Sequence, residues 1–318
     1  MPVAAFLITA AVLGHLQYRL DFPILLAERF WPGAGWPQLL LMALYAAWLT
    51  GKFTDPAQSH RWRLRIWGLF SLVFFGQLLL GLAGIEEMLM TGKLHLPVPA
   101  LIIAGPLYRG AEFFMPILFL STVVLVGPAW CSYLCYIGAW EGWSSRSQKK
   151  PTPLPPWRRT VRIALLLLVI ATALGMRLLG IGWLPALLTA AAFGLVGVGI
   201  MVLVSRRNGM MTHCVSYCPI GLLAGVLGKI SPFRLKIDAG CNNCYSCTRT
   251  CRYDALTPAD LERRQPGLSC TLCGDCLGRC PKKIIHYHLP GLAPTTARKL
   301  FLVLVISLHS IFLAVARI

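Results

Sequence analysis

The sequence predicts an all-α polytopic membrane bundle that carries a small α+β domain ahead of its last membrane span. Three features support this fold class: a low charge content, long apolar runs, and a compact cysteine-rich segment between residues 241 and 280. Of the 318 residues, 56% are hydrophobic and 13% are charged, whereas an ordinary soluble domain carries about 25% charged residues. The chain therefore has the composition of a membrane protein.

About seven apolar runs are candidate membrane spans, because roughly 20 mostly apolar residues cross a bilayer as a helix. The first run lacks a preceding basic region and a clear small-x-small cleavage site, so we interpret it as a retained span and not as a signal peptide. The seven runs are Val3–Leu20, Pro37–Leu49, Leu64–Gly84, Phe113–Trp130, Val161–Leu179, Leu184–Val204 and Leu300–Ala316.

These runs divide the chain into four parts. We expect two N-terminal spans in residues 1–59 and a core bundle in residues 60–235. The cysteine-rich domain then occupies residues 236–292, and a C-terminal span occupies residues 293–318.

The charge distribution indicates the orientation of the chain in an inner (cytoplasmic) membrane. The net charge of +18 would suggest nucleic acid binding in a soluble protein. With alternating spans, however, 24 of the 30 lysines and arginines fall on one side, in residues 52–65, 131–163 and 205–299. Basic loops face the cytoplasm and contact anionic lipid. We therefore expect the cysteine-rich domain and the N-terminus inside, the C-terminus outside, and no nucleic acid partner. The six basic residues of the outer side are Arg19, Arg29, Lys93, Arg109, Arg177 and Arg317.

All twelve cysteines fall in repeated spacings. Residues 241–251 have the spacing C-x2-C-x2-C-x3-C, and residues 270–280 repeat it. Thiolates hold cubane iron–sulfur clusters, and the fourth cysteine of such a run binds the other cluster in two-cluster ferredoxins. We therefore predict a double [4Fe–4S] ferredoxin domain on the cytoplasmic side. The predicted ligands are Cys241, Cys244, Cys247 and Cys280 for the first cluster, and Cys251, Cys270, Cys273 and Cys276 for the second.

Zinc is the alternative metal for these eight cysteines, because zinc ribbons also use C-x2-C pairs. The duplicated four-cysteine spacing favours iron, and the reducing cytoplasm disfavours a disulfide framework. Arg252 stands where such runs have proline. We expect it to make the turn less rigid and to raise the potential of the neighbouring cluster.

The other four cysteines form two C-x3-C pairs after the fourth and sixth spans, Cys131 with Cys135 and Cys214 with Cys218. On an α-helix, residues i and i+4 share a face, so each pair would project its two thiols in one direction. Together the pairs could supply four thiolates to a third [4Fe–4S] cluster, or they could form redox-active dithiols. They could also be buried small hydrophobic residues, although their repetition in both halves of the bundle favours a metal or redox role.

Two C-x3-C turns after paired spans, followed by a double ferredoxin run, resemble the membrane polyferredoxin group that includes NapH, MauN and the membrane core of NosR. The resemblance covers roughly residues 60–290 and rests on motif order. Tyr136 departs from it, since the group has proline after the first cysteine pair. The resemblance implies a subunit of a quinol-linked oxidoreductase complex, which passes electrons between the quinone pool and a partner redox enzyme.

Two other functions compete with this electron relay. One is a metal-ion (cupric) reductase or a maturation factor for a metalloenzyme, but the cupric reductase that joins spans to a double ferredoxin carries a further domain after its last span. The other is a structural anchor, which the ligand spacing of twelve cysteines disfavours. No residue is predicted to be catalytic, since the sequence contains no phosphate-binding loop, dinucleotide fingerprint or catalytic triad.

Five histidines have alternative interpretations. His15 and His309 lie at similar depth in the first and last spans and could bind one haem b, but a bond from each to a neighbouring group is what we expect. His213 lies beside Cys214 and could either tune a cluster or be solvated. His286 and His288 are expected on the surface of the ferredoxin domain.

The outer segment at residues 84–114 is apolar and broken by prolines, which favours a re-entrant or interfacial structure. Its carboxylates could take up the protons that quinol oxidation releases, or all of its ionisable residues could be ordinary interfacial residues. These residues are Glu86, Glu87, Arg109 and Glu112.

Overall fold

The computed structural model describes residues 1–88 and 96–315, most of them in helices. The α-helices are α1 Pro2–Arg19, α2 Leu26–Phe30, α3 Gly35–Lys52, α4 Pro56–Leu82, α5 Leu101–Arg109, α6 Phe114–Val126, α7 Tyr136–Ser144, α8 Arg158–Leu178, α9 Trp183–Gly199, α10 Arg206–Asn208, α11 Pro219–Leu227, α12 Pro258–Glu262 and α13 Pro294–Val315. The strands are β1 Arg234–Ile237 and β2 Ile285–His288.

Five helical segments of the described residues are long and apolar enough to cross a membrane, with mean hydropathies between 1.6 and 2.5. They overlap the last five predicted spans, and they are Pro56–Leu82, Phe114–Leu134, Arg158–Leu178, Trp183–Asn208 and Pro294–Val315. The first two predicted spans lie in α1 and α3, each an 18-residue helix. Polar residues at their ends make these two helices less apolar, so their crossing of the membrane stays a prediction.

Helix α13 lies at the centre of the bundle. In its most apolar 18-residue window 61% of the residues are buried, against 11% for α8 and for α9. Helices α1 and α3 pack against each other and against α13. A bilayer would therefore cover α8 and α9, whereas protein surrounds the last helix.

Turn chemistry sets the beginning of α4 and the end of α6, the helix that precedes the first C-x3-C turn. Asp55 caps α4 by accepting a hydrogen bond from the amide of Ala57, and Pro56 occupies the first helical position, where its missing N–H costs nothing. Helix α6 ends at Gly127, whose φ of 65° suits glycine. The chain then enters the first C-x3-C turn.

The two strands pair antiparallel, with Arg234 opposite His288 and Ile237 opposite Ile285. Both four-cysteine runs lie between these strands in the sequence. Tyr287 of β2 stacks on Phe301 of α13, with ring centroids 4.7 Å apart, and Phe233 meets the same ring edge-on. The small cysteine-rich unit is thus packed on the beginning of the central helix.

Candidate iron–sulfur centres

The structure brings Cys241, Cys244, Cys247 and Cys280 around one cavity. This group of four is called the first set. Burial raises the pKa of Cys247, and the thiols of Cys280 and Cys241 raise it further. Cys244 and its neighbour Tyr245 are exposed. The first set therefore lies at the surface of the protein.

Cys251, Cys270, Cys273 and Cys276 form the second set. Burial raises the pKa of Cys276 well above its usual value, and the thiols of the other three cysteines raise it further. Burial also raises the pKa of Cys270 to about 12. Thiols this close and this buried stay protonated without a metal, so a bound metal would have to displace their protons.

The backbone of the two four-cysteine runs repeats residue by residue. Asn243 and Leu272, each two residues after the first cysteine of its run, have φ values of 53° and 54°. Tyr245 and Gly274, the next pair, are also left-handed. Left-handed residues between cysteines turn successive backbone N–H groups toward one centre, a geometry found at many iron–sulfur sites. The donor set and the backbone therefore both fit cubane clusters.

The third set consists of Cys131, Cys135, Cys214 and Cys218, and its two pairs share one backbone geometry. Each pair lies in a π-helical turn, closed by hydrogen bonds from Cys135 N to Trp130 O at 2.9 Å and from Cys218 N to His213 O at 2.8 Å. The expectation that each pair lies on one α-helical face is therefore wrong in detail. The turn contains one extra residue, and the second cysteine has an extended conformation. Such π turns recur at functional sites.

The second cysteine of each pair lies at the N-terminus of the following helix. The amides of Ile137 and Gly138 donate to Cys135, and those of Ile220 and Gly221 donate to Cys218. Burial raises the pKa of Cys135 to about 12, although these amides oppose the shift. Amides at a helix N-terminus favour negative charge, so both turns are suited to stabilise the thiolate form of their second cysteine.

Two glycines let the turns and helices approach each other. A Cβ atom at Gly138 would lie 2.5 Å from Cζ2 of Trp67 and 3.2 Å from the carbonyl oxygen of Cys131. A Cβ atom at Gly221 would lie 2.6 Å from the carbonyl oxygen of Cys214. The same close contact with the first cysteine therefore occurs in both halves of the bundle.

The other three thiols of the third set lie close enough to Cys214 to affect its pKa. Burial raises the pKa of Cys214 well above its usual value, the Glu141 carboxylate raises it further, and the other three thiols add to this. One cavity is lined by Cys131 and Cys214 and also by Cys270 of the second set. The second and third sets therefore adjoin.

Arg63 of α4 ties the membrane bundle to the second set. Its guanidinium donates to Asp275 through Nε at 3.1 Å and through Nη2 at 2.6 Å, and to the carbonyl of Ser132 at 3.2 Å. Asp275 lies between Cys273 and Cys276 in the sequence. Two more bonds join the same segments, from Ser132 Oγ to Thr271 O and from Tyr133 OH to Cys273 O. The first C-x3-C turn and the second four-cysteine run thus form one hydrogen-bonded unit.

Glu141 joins the two C-x3-C turns to each other. This fully buried carboxylate lies on α7, after the first turn, and accepts hydrogen bonds from the amides of His213 and Cys214 at 2.6 and 2.9 Å. The hydroxyl of Ser205 donates a third bond at 2.7 Å. Burial raises the pKa of Glu141, although these bonds oppose the shift.

The two departures from the expected motifs have structural explanations. Tyr136 occupies the first position of α7, as Pro219 does in α11, and its ring stacks on Phe74 with centroids 5.2 Å apart. The Arg252 side chain bonds the backbone carbonyl of Gly209 at 2.7 Å. It links the first four-cysteine run to a neighbouring loop, and its expected effect on a cluster potential stays a prediction.

The histidines lie in different environments. His213 is buried and its ring lies against that of Tyr217, so the solvated alternative is wrong. Burial lowers its pKa to about 3. His309 is fully buried, 3.3 Å from the hydroxyl of Tyr45, whereas His15 is exposed. His286 lies on β2, 3.4 Å from Asp238, and His288 is half-buried on the same strand.

The outer segment is only partly described, because Lys93 lies in the undescribed residues 89–95. Glu86 and Glu87 are exposed. Arg109 forms an ion pair with Glu112 at 2.9 Å, with both side chains about half exposed. Arg317 also lies outside the described residues.

Sequence reasoning missed Arg63, Asp275, Glu141 and Arg162. A signal existed for two of them, because a charged residue inside or beside an apolar span is costly and marks a functional position. Arg63 and Arg162 each lie near the beginning of a spanning helix and are buried, with 1% and 6% exposure. Each lies next to one of the C-x3-C turns.

The comparisons with known proteins agree with this arrangement. The family described as "4Fe-4S binding domain" matches residues 109–153 and 190–238. The ferredoxin-type protein NapH of Haemophilus influenzae is 24% identical over 273 residues, which cover 79% of this chain and 88% of that protein. The chain is therefore similar to a NapH-like polyferredoxin.

A second relative is named "Putative electron transport protein YccM" and comes from Escherichia coli (strain K12). It is 24% identical over 274 residues, covering 77% of this chain and 71% of that protein. No solved structure matches the chain. The two segments that match the iron–sulfur family contain the four cysteines of the third set and none of the other eight.

Proposed function

We propose that this chain relays electrons between the quinone pool of the inner membrane and a partner redox protein. The observation that carries the proposal is the order of the three cysteine sets. The third set is buried at the end of the bundle, the second set adjoins it, and the first set reaches the surface at Cys244. A row of redox centres from membrane to surface is what a relay requires. The name of the relative YccM also describes electron transport.

Each set is proposed to hold one [4Fe–4S] cluster, which accepts and donates one electron when it is bound. The left-handed turns of both four-cysteine runs and the cavity of the first set support the two ferredoxin clusters. The helix N-terminal amides at Cys135 and Cys218, together with the matched iron–sulfur family, support the third. The residues hold the centres in place, and the buried surroundings keep water away from the second and third sets.

The relay is tested by anaerobic reduction of the purified full-length protein with a short-chain quinol. We expect the quinol to bleach the visible absorption of the clusters, or the matching quinone to reoxidise protein reduced with dithionite. The Cys131→Ser plus Cys214→Ser variant is the matched control, since it should lose the exchange with quinone while its ferredoxin clusters still respond to dithionite. Reaction with dithionite but with neither quinol nor quinone would contradict the relay.

The third cluster is tested by iron content. We expect about twelve irons and twelve acid-labile sulfides per chain in the wild type, because three sets of four cysteines would each hold four irons. Cys131→Ser combined with Cys214→Ser should lower the content by about four, with the ferredoxin signals intact. A wild type with about eight irons, unchanged in this variant, would leave the pairs as dithiols. Stoichiometric zinc without visible cluster absorption would contradict all three assignments.

The orientation is tested with reporters fused at two positions of the chain. The concentration of basic residues on one side predicts that a reporter after Ile318 is active only outside the cytoplasm. A reporter after Phe22 should also be outside if α1 and α3 both cross the membrane. Outside activity at Ile318 with cytoplasmic activity at Phe22 would leave five spans, and cytoplasmic activity at Ile318 would contradict the proposed orientation.

A further inference from the structure

The cavity between the second and third sets contains polar groups that no protein atom satisfies. Arg162, Tyr253 and Thr271 line it together with Cys131 and Cys214. Each of these three polar side chains has one buried atom without a hydrogen-bond partner among the described residues. These atoms are Nε of Arg162, the hydroxyl of Tyr253 and Oγ1 of Thr271. Buried donors are almost always paired, so three unpaired donors around one cavity indicate an absent acceptor.

The chain is shaped to bring the Arg162 guanidinium to this cavity. A Cβ atom at Gly221 would lie 2.8 Å from Nη2 of Arg162, so the guanidinium lies directly beside the second C-x3-C turn. Arg162 is 6% exposed and makes no ion pair among the described residues. Its neighbour Arg158 instead pairs with Asp254 at 2.6 Å. A buried cation without a counter-ion is costly, and the missing negative charge must come from the cavity.

We propose that Arg162 and Tyr253 are positioning residues of the third centre, which donate hydrogen bonds to its sulfur atoms and raise its reduction potential. This inference rests on the proposed third cluster. One-electron reduction adds a negative charge, and a facing cation and hydroxyl stabilise the reduced state more than the oxidised state. Hydrogen bonds to sulfur and local charge are among the factors that set such potentials. Tyr253 lies near Cys214 of the third set and also near Cys273 of the second set.

The test is a redox titration of the purified full-length protein, followed by electron paramagnetic resonance. The signal that disappears in the Cys131→Ser plus Cys214→Ser variant identifies the third centre. Arg162→Gln removes the charge, Arg162→Lys keeps the charge but loses the guanidinium fork, and Tyr253→Phe removes only the hydroxyl. Arg159→Gln removes an equal charge from an exposed position on the same helix and is the control.

We expect Arg162→Gln to lower the ratio of reduced to oxidised third centre about tenfold at a given potential. For a one-electron couple this corresponds to a decrease of about 59 mV in the midpoint potential. Arg162→Lys and Tyr253→Phe should give smaller decreases, and Arg159→Gln none. A loss of about four irons in Arg162→Gln, with the ferredoxin signals intact, would also support the role of Arg162. Such a loss would show that the side chain acts on the third centre and not on the other two.

Two results would overturn the inference, and they differ in kind. An unchanged midpoint in Arg162→Gln, Arg162→Lys and Tyr253→Phe, with about twelve irons retained, would overturn the role of these residues alone. About eight irons in the wild type would overturn the third cluster itself before any variant is titrated.

Discussion

Replacing Cys280 with serine should remove the cluster of the first set, although Cys280 belongs to the second four-cysteine run. The cavity that Cys280 lines contains three cysteines of the first run. Conversely, Cys251→Ser should remove the cluster of the second set, because the Cys251 thiol lies against Cys273 and Cys270. Each variant should lose up to about four irons.

The crossed arrangement is distinguished from an uncrossed one by combining substitutions. If Cys280 serves the first set, Cys241→Ser plus Cys280→Ser should lose no more iron than Cys241→Ser alone. The matched control is Cys270→Ser plus Cys280→Ser, which removes one ligand from each set and should lose about eight irons. The reverse order, with the larger loss of iron in Cys241→Ser plus Cys280→Ser, would contradict crossed ligation.

The grouping of these eight cysteines could be predicted from the sequence because it depends on short loops. Three cysteines two residues apart can surround one centre within a single tight turn. The left-handed residues follow the same logic, since Asn243 and Gly274 are residue types that tolerate a positive φ. Tyr245 and Leu272 are not, so their left-handed conformation could not be predicted from residue type.

The geometry of the C-x3-C pairs could be predicted only in part. The spacing indicated two equivalent turns, but an i to i+4 separation suggests an α-helix and the turns are π-helical. A π turn needs packing that forces in the extra residue, and that packing comes from distant residues. Glu141 is 73 residues from Cys214 in the sequence and bonds its amide. No local pattern contains such a contact.

The arrangement of the membrane helices could also be predicted only in part. Long apolar runs identify α4, α6, α8, α9 and α13, because length and composition alone decide whether a helix can cross a bilayer. They do not reveal which helix is central. The burial of α13 follows from the packing of α1 and α3 and of the ferredoxin strand β2 against it. A mean hydropathy of 1.9 for α13 gives no sign of this.

The second large effect is expected at the ion pair between Arg63 and Asp275. The two side chains are 1% and 9% exposed, and Nη2 lies 2.6 Å from Oδ2. Asp275→Ala should lower the free energy of unfolding by about 3–5 kcal/mol, because it leaves the Arg63 charge buried without its partner. Arg146, 3.3 Å from the same oxygen, would lose its partner as well.

Asp275→Asn keeps the shape of the side chain but removes its charge, so we expect it to lower the free energy of unfolding by much of the same amount. The measurement is thermal unfolding of the purified protein in detergent, followed by the decay of the visible cluster absorption. Glu262→Gln is the control, since Glu262 is an exposed carboxylate of the same domain.

Arg63→Met should cost less than Asp275→Ala, because methionine leaves no charge buried in the bundle and leaves Asp275 its contact with Arg146. Equal unfolding temperatures for Asp275→Ala and the control would show that the pair does not hold the cysteine-rich unit on the bundle. A larger loss in Arg63→Met would show that the arginine acts mainly through its bond to the Ser132 carbonyl in the first C-x3-C turn.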